Sequence, residues 1–161
     1  VSVKHKRTLI LLGVLVITSC IFLYDRFVAP NREPSLHNPV VNDFIKFYYS
    51  SGIHYKTYWL GIPTLENPCD MWSIQEIISE IKPDFIVETG TFKGGGALFY
   101  ASILQIVNPA GKVITVDIKP QMEQAGKLEL FKERVEFIEG SSTSDDVIHR
   151  IAERVKGSKG R

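Results

Sequence analysis

Apolar positions along this chain change period several times, and each change predicts an element. Residues 8–24 are uncharged and rich in Leu, Ile and Val, with Lys4, Lys6 and Arg7 before them and Asp25 and Arg26 after. Residues 25–40 hold three prolines among turn formers and read as a linker. Val41, Phe44, Ile45 and Tyr48 then recur on one helical face. An aromatic, irregular stretch follows over residues 54–63. Ser73 with Glu76 three residues on has the form of a capping box, and Ile74, Ile77, Ile78 and Ile81 share a face. Together they predict a helix over 74–82 that Pro83 stops. Phe85, Ile86 and Val87 form a short buried strand that ends on Glu88 and breaks into a glycine-rich turn, with a helix over 94–107 behind it. A second strand over 112–117 ends on Asp117. A short helix around 121–130 and a third strand over 134–139 follow, the latter ending in Gly140, Ser141 and Ser142. Thr143 with Asp146 predicts the start of a last helix that places Ile148, Ile151, Ala152 and Val155 on one face.

Strands alternating with helices of these lengths predict right-handed crossovers and a parallel α/β sheet of Rossmann-like type. Three strands are few for such a sheet, so the N-terminal half of a domain is expected, with the remainder beyond Arg161. Opening on Val1 predicts a truncated start as well. The expected organisation is a basic flank (1–7), a transmembrane anchor (8–24), a linker (25–40) and an incomplete domain (41–161). Seventeen residues are at the short end of what spans a bilayer, roughly 17–25. The basic flank on the N-terminal side predicts a single-pass membrane protein with a cytoplasmic N-terminus. A cleaved secretory signal is the rival, and Ile17-Thr18-Ser19-Cys20 has the look of a lipoprotein box. Continuation of the apolar run through Ile21, Phe22 and Leu23 favours the uncleaved anchor.

Charge removes one class of partner. Nineteen basic and eighteen acidic residues nearly cancel, and no basic stripe interleaves with aromatics, so nucleic acid is not expected. Cys20 and Cys69 stand far apart, and His5, His37, His54 and His149 lack ligand spacing, so no metal site is expected from them.

The glycine turn carries the chemistry. Gly90 and Gly95 have P-loop separation, but Gly96 and Ala97 stand where Lys and Ser/Thr are required to meet phosphates. A dinucleotide fingerprint is blocked by Phe92 at its second glycine, which argues against an NAD enzyme. What remains is an acidic-x-Gly-x-x-x-Gly turn, Glu88-Thr89-Gly90-Thr91-Phe92-Lys93-Gly94, of the kind that holds S-adenosylmethionine. That ligand has no phosphate and carries a cationic sulfonium and ammonium, which suits a carboxylate at the strand tip. The expected cofactor-binding residues are Glu88, Gly90, Thr91, Gly94, Asp117 and Ser141. Asp117 is placed for the ribose hydroxyls, Ser141 near the adenine, and the backbone of Gly90 and Thr91 beside the methionine moiety.

These residues also carry a resemblance. Tyr58-Trp59-Leu60-Gly61-Ile62-Pro63, Asn67-Pro68-Cys69-Asp70-Met71-Trp72, Gln75-Glu76-Ile77-Ile78 and the run from Lys82 through Thr91 stand in the order of a known family. Gly94-Gly95, Gly111-Lys112-Val113-Ile114, Asp117-Ile118 and Phe137-Ile138-Glu139-Gly140-Ser141-Ser142 continue it. Over about residues 41–156 the chain resembles the cephalosporin hydroxylase/rhamnosyl O-methyltransferase family. The resemblance implies a class I methyltransferase fold that uses S-adenosylmethionine to methylate a hydroxyl of a sugar, lipid or small metabolite, including glycolipid acceptors. It also implies a divalent metal such as Mg, held by acidic residues that would lie beyond Arg161, so no metal ligand or catalytic base is named here. His54, Tyr55 and Tyr58 are candidates for an acceptor wall. The rival of a different class is a membrane-tethered, non-catalytic binding module with the same fold.

Overall fold

The computed structural model describes residues 38–158. The chain divides into two units, residues 1–47 and 48–161. Helix α1 (Pro39–Ser50) supplies most of what is described of the first unit. In the second, a 3-10 turn (Ile53–Lys56) leads into a two-stranded antiparallel hairpin of β1 (Tyr58–Trp59) and β2 (Ile62–Pro63). Helix α2 (Pro68–Ile81), strand β3 (Phe85–Thr89), helix α3 (Gly95–Val107) and strand β4 (Lys112–Asp117) follow. A 3-10 turn (Ala125–Lys127), helix α4 (Glu129–Arg134), strand β5 (Val135–Glu139) and helix α5 (Asp145–Val155) complete the described chain. The sheet order is β3-β4-β5, all parallel, as the alternation of periods predicts.

β4 is central, and Val113 to Val116 are buried on both faces, which is why it reads as a continuous apolar run. Strand alternation splits the core in two. Val113, with Ile86 and Val135, faces α3 and the cluster of Leu98, Ala101, Leu104 and Phe131. Ile114, Val116 and Ile138 face α5 and meet Val147, with Ile151 and Val155 behind it. Helix α3 is apolar all round because it is wrapped, with Ala97, Leu98, Ala101 and Leu104 fully buried. On α5 the covered face is Val147 with the partly buried Ile151 and Val155, whereas Ile148 and Ala152, expected on that face, are exposed.

Two helix starts differ from the sequence reading. α2 begins a turn and a half earlier than expected: Asn67, almost fully buried, accepts from the Cys69 N–H at 3.0 Å, and Pro68 sits at the first helical position. Ser73 is mid-helix, donating to the Cys69 carbonyl, and Glu76 accepts from the Trp72 indole instead of closing a box. α5 is capped by Ser144, one residue after Thr143, through its hydroxyl on the Val147 N–H.

The membrane expectation is corrected. Among the described residues no helix is long and apolar enough to cross a membrane. The longest, α2, has 14 residues and reaches only about 21 Å of a hydrocarbon layer about 30 Å thick. Residues 8–24, on which the anchor rested, lie outside the described residues. The transmembrane helix, the membrane partner and the membrane location are therefore withdrawn.

β3 is an edge strand in this sheet, yet it is as apolar as an interior one. Val87 is 45% exposed, and Ile77 and Ile81 on α2 are 54% and 50% exposed beside it. These residues line an open trough of about 470 Å³ that runs along the free edge to Glu88 and Gly90.

Candidate functional site

The turn between β3 and α3 is built from backbone that needs glycine at some positions and tolerates strain at another. Gly90 has φ 90° and donates to the Val116 carbonyl at 2.8 Å, which ties the tip of β3 to β4. A Cβ at Gly90 would meet no heavy atom within 4 Å, so the turn is open to a ligand on that side. Phe92, at the position where a dinucleotide fingerprint has its second glycine, takes φ 46° despite its side chain. Asp117 holds it there, Oδ2 accepting from the Phe92 N–H at 2.9 Å while Oδ1 takes the Lys119 N–H at 3.3 Å. The Phe92 N–H, followed by other backbone N–H donors, keeps the Asp117 carboxyl below its ordinary range.

Glycines behind the turn serve packing. Gly94 caps α3 with φ 84°, and a Cβ there would stand 2.9 Å from the Phe131 ring. Its identity is thus explained by burial against α4, away from the open side of the turn. At Gly95 a Cβ would press on the Pro63 carbonyl oxygen, lie 2.7 Å from the Pro63 carbonyl carbon and 2.8 Å from Thr64 Cγ2. The hairpin backbone therefore crosses directly over the first turn of α3. Gly95→Ala is expected to cost about 2–3 kcal/mol of stability in urea denaturation, because backbone on both sides has no room to move.

Glu88 faces inward. It is the register partner of Thr115, and both stand on the α3 side of the sheet. Oε2 accepts from the Thr115 hydroxyl, and Oε1 occupies the space left by the missing Cβ of Gly96. Burial raises its ionisation from an ordinary 4.5 to about 7, the Thr115 bond opposes the rise, and Glu66 and Asp117 add to it. Tyr100 and Glu66 share the trough with it. Tyr100 is pushed up to about 12, by burial first and then by the Glu88 and Glu66 carboxylates, and burial also raises Glu66.

Thr91 turns its side chain inward too. It is 3% exposed, and its hydroxyl lies 2.6 Å from that of the fully buried Thr115. Ser141 lies past the tip of β5, after Gly140, whose N–H donates to the Asp117 carbonyl at 2.9 Å. Its hydroxyl is exposed and shared with Thr143 at 3.0 Å. The structure thus brings Glu88, Gly90, Thr91, Asp117 and Ser141 to adjacent strand tips and sets Gly94 behind them. It adds Thr115, Glu66 and Tyr100, which sequence reasoning does not single out. Thr115 reads as a β-branched strand former inside Val-Ile-Thr-Val, and nothing local marks it as polar machinery. Of the acceptor-wall candidates, His54 stacks between Tyr49 and Tyr55 at centroid distances of 5.2 and 4.0 Å. Tyr58 is largely exposed and borders a separate apolar groove with Trp59, Met71 and Trp72. No group of three or more His, Cys, Asp or Glu among the described residues is placed to hold a metal ion.

Residues 51–161 match the family model described as Rhamnosyl O-methyltransferase/CmcI. A Rhamnosyl O-methyltransferase of Mycobacterium tuberculosis is 34% identical over 130 residues, covering 78% of this chain and 52% of that protein. One of Mycobacterium leprae is 32% identical over 113 residues, covering 70% and 48%. The chain thus spans about half the length of these relatives. Among solved structures, CmcI in its apo form has a TM-score of 0.53 at 20% identity, covering 62% of this chain and 42% of that one. CmcI with Mg and SAM has 0.51 at 21% identity, covering 59% and 40%. These likenesses show the shared fold. With its glycine turn, its acidic strand tips and a match over residues 51–161, the chain belongs to the Rhamnosyl O-methyltransferase/CmcI family.

Proposed function

We propose that this chain is the cofactor-binding half of an S-adenosylmethionine-dependent O-methyltransferase whose acceptor is a hydroxyl on a sugar or a related small molecule. The observation that carries the reading is the convergence of an open glycine turn with two carboxylates of opposite character. Gly90 leaves free space above its α-carbon, Asp117 is anchored and held ionised, and Glu88 is half-shielded and easily neutralised.

These groups fit the cofactor's chemistry. Its charge is positive and it has no phosphate, so a turn without a lysine in P-loop position is suited to it. Bound there, S-adenosylmethionine would supply an electrophilic methyl group to an oxygen nucleophile. Asp117 would accept from ribose hydroxyls through the lone pairs its backbone partners leave, and Ser141 offers an exposed hydroxyl at the next strand tip. Glu88 would place negative charge near the ammonium or sulfonium end, and the wall formed by Thr91, Thr115 and α3 excludes water on the inner side. The turn's role is to hold the donor in line, which is where such a transfer gains most of its rate. The relatives' name supports a rhamnose-type acceptor. The apolar, uncovered edge of β3 supports an acceptor side built by further sheet, which this chain does not contain among its described residues.

Isothermal titration of the chain with S-adenosylmethionine is expected to give a saturable 1:1 signal, with weaker binding of NAD and ATP. No heat from S-adenosylmethionine, together with unchanged behaviour of Asp117→Ala, would sink the reading. In a protein of the relatives' full length, radiolabelled methyl transfer to a rhamnosylated acceptor is the matching activity measurement.

A further inference from the structure

Two buried hydroxyls and a half-buried carboxyl link the outer turn to the inner face of the sheet. Thr115 is in the middle of β4, fully buried, and has a single O–H. That proton goes to Glu88 Oε2. The contact of 2.6 Å between Thr91 and Thr115 must then be made by the Thr91 proton on the Thr115 oxygen. The order Thr91, Thr115, Glu88 is the direction an ionised Glu88 imposes, since a carboxylate only accepts. A proton arriving on Oε2 would reverse it: the carboxyl would donate to Thr115, Thr115 would donate to Thr91, and the Thr91 proton would have to find a new acceptor in a buried place. Thr91 is flanked by Gly90 and Phe92, both at positive φ, so its side chain is the inward anchor of the turn.

We propose that Thr115 is a positioning residue for the glycine turn, its one hydroxyl joining the carboxyl of Glu88 to the hydroxyl of Thr91 so that the charge on Glu88 and the shape of the turn are set together. The inference rests on the cofactor reading for its consequence, and on the hydrogen-bond chain alone for its existence. The groups that face Glu88 are Thr115 on β4, Gly96 and Tyr100 on α3, Glu66 ahead of α2, and Asp117 at the tip of β4. None of these is a cation, so the Thr115 hydroxyl is the group among them that favours the ionised form. Losing it makes Glu88 harder to ionise. At neutral pH Glu88 would then carry less charge and Thr91 would lose its inward partner, so a positively charged cofactor would lose both the charge and the shaped turn.

The test uses the whole chain with ¹³C-labelled glutamate carboxyls, Thr115→Val as the variant that removes the hydroxyl at nearly constant volume, and Thr115→Ser as the variant that keeps it. In the cofactor-free protein the Glu88 signal is expected to titrate near 7, about one pH unit higher in Thr115→Val, and as in wild type in Thr115→Ser. S-adenosylmethionine affinity is expected to rise with pH through the same midpoint, and Thr115→Val should displace that profile upward by the same interval. An unmoved Glu88 titration in Thr115→Val overturns the inference, as does a loss of affinity equal at every pH, which is what a purely structural role would give. If Thr115→Val does not fold, Thr91→Val cuts the chain at its other link. It should lower affinity and flatten the pH profile, and an unchanged profile overturns the proposal. A wild-type chain that takes up no S-adenosylmethionine at any pH defeats the cofactor reading, while the Glu88 titration still decides the hydrogen-bond chain.

Discussion

Replacing Glu88 by glutamine is expected to stabilise the cofactor-free chain at pH 8 and to weaken its hold on S-adenosylmethionine at the same pH. The two effects have one cause. Glu88 ionises at about 7 in the folded chain against an ordinary 4.5, because burial beside α3 costs the carboxylate its hydration. The folded state therefore binds a proton more tightly than the unfolded one. The contribution is fully present below 4.5, falls as pH rises, and is lost once pH passes 7. Full ionisation should cost on the order of 3 kcal/mol, a cost that the uncharged amide of Glu88→Gln does not carry. Urea denaturation should thus show Glu88→Gln level with wild type near pH 4.5 and increasingly more stable up to pH 8. Affinity at pH 8 should fall about tenfold, since a neutral amide no longer attracts a cation. A variant less stable than wild type at pH 8 would show that the Thr115 hydrogen bond, and not burial, dominates at this position. A group that destabilises its own fold in the state a ligand requires is the pattern expected of a working site.

The second large effect belongs to Asp117. Asp117→Ala removes the acceptor that holds Phe92 at φ 46° and the expected ribose contact together, so S-adenosylmethionine affinity should fall about 100-fold. The stability cost should be only about 1 kcal/mol, because the carboxylate is largely solvated. Asp117→Asn separates the two roles. Its side-chain oxygen can still accept from the Phe92 N–H, so stability should stay near wild type while affinity drops about tenfold. Calorimetry on both variants checks this, and equal losses for the asparagine and alanine variants would mean that anchoring the turn contributes nothing. The pH dependence has the opposite sign to that of Glu88. With its ionisation below the ordinary 3.8, Asp117 adds stability above that value and loses it only in acid. Asp117 therefore contributes no change in affinity between pH 6 and 8.

Much of this is legible in the chain itself, for identifiable reasons. The bounds of β4 follow from sequence because both its faces are buried, so every position from Val113 to Val116 is apolar or β-branched. Glu88, Gly90 and Asp117 are legible because strand ends and glycine turns are local signals. The start of α2 is not, because two capping patterns compete within seven residues. Asn67 followed by proline prevails because its side chain is buried in the tertiary fold, while Ser73 and Glu76 find partners within the helix. On α5, Ile148 and Val147 are equally apolar in sequence, and only the position of Ile138 and Val116 decides which of them is covered. The membrane anchor rests on residues 8–24 alone, and none of the described helices supports it.

By itself, then, the sequence determined the order of strands and helices, the parallel sheet and the departure of the glycine turn from the P-loop and dinucleotide patterns, because period, turn chemistry and missing lysines are properties of short segments. The tertiary structure decided what those residues do. Gly94, Gly95 and Gly96 look alike in sequence, yet one meets the Phe131 ring, one the Pro63 backbone and one the Glu88 carboxyl. Thr115 has no sequence signal at all and becomes the link between carboxylate and turn only because the parallel register sets it beside Glu88 and beneath Thr91. Such a role depends on residues 24 and 27 positions away, and contacts at that separation exist only once the sheet has formed.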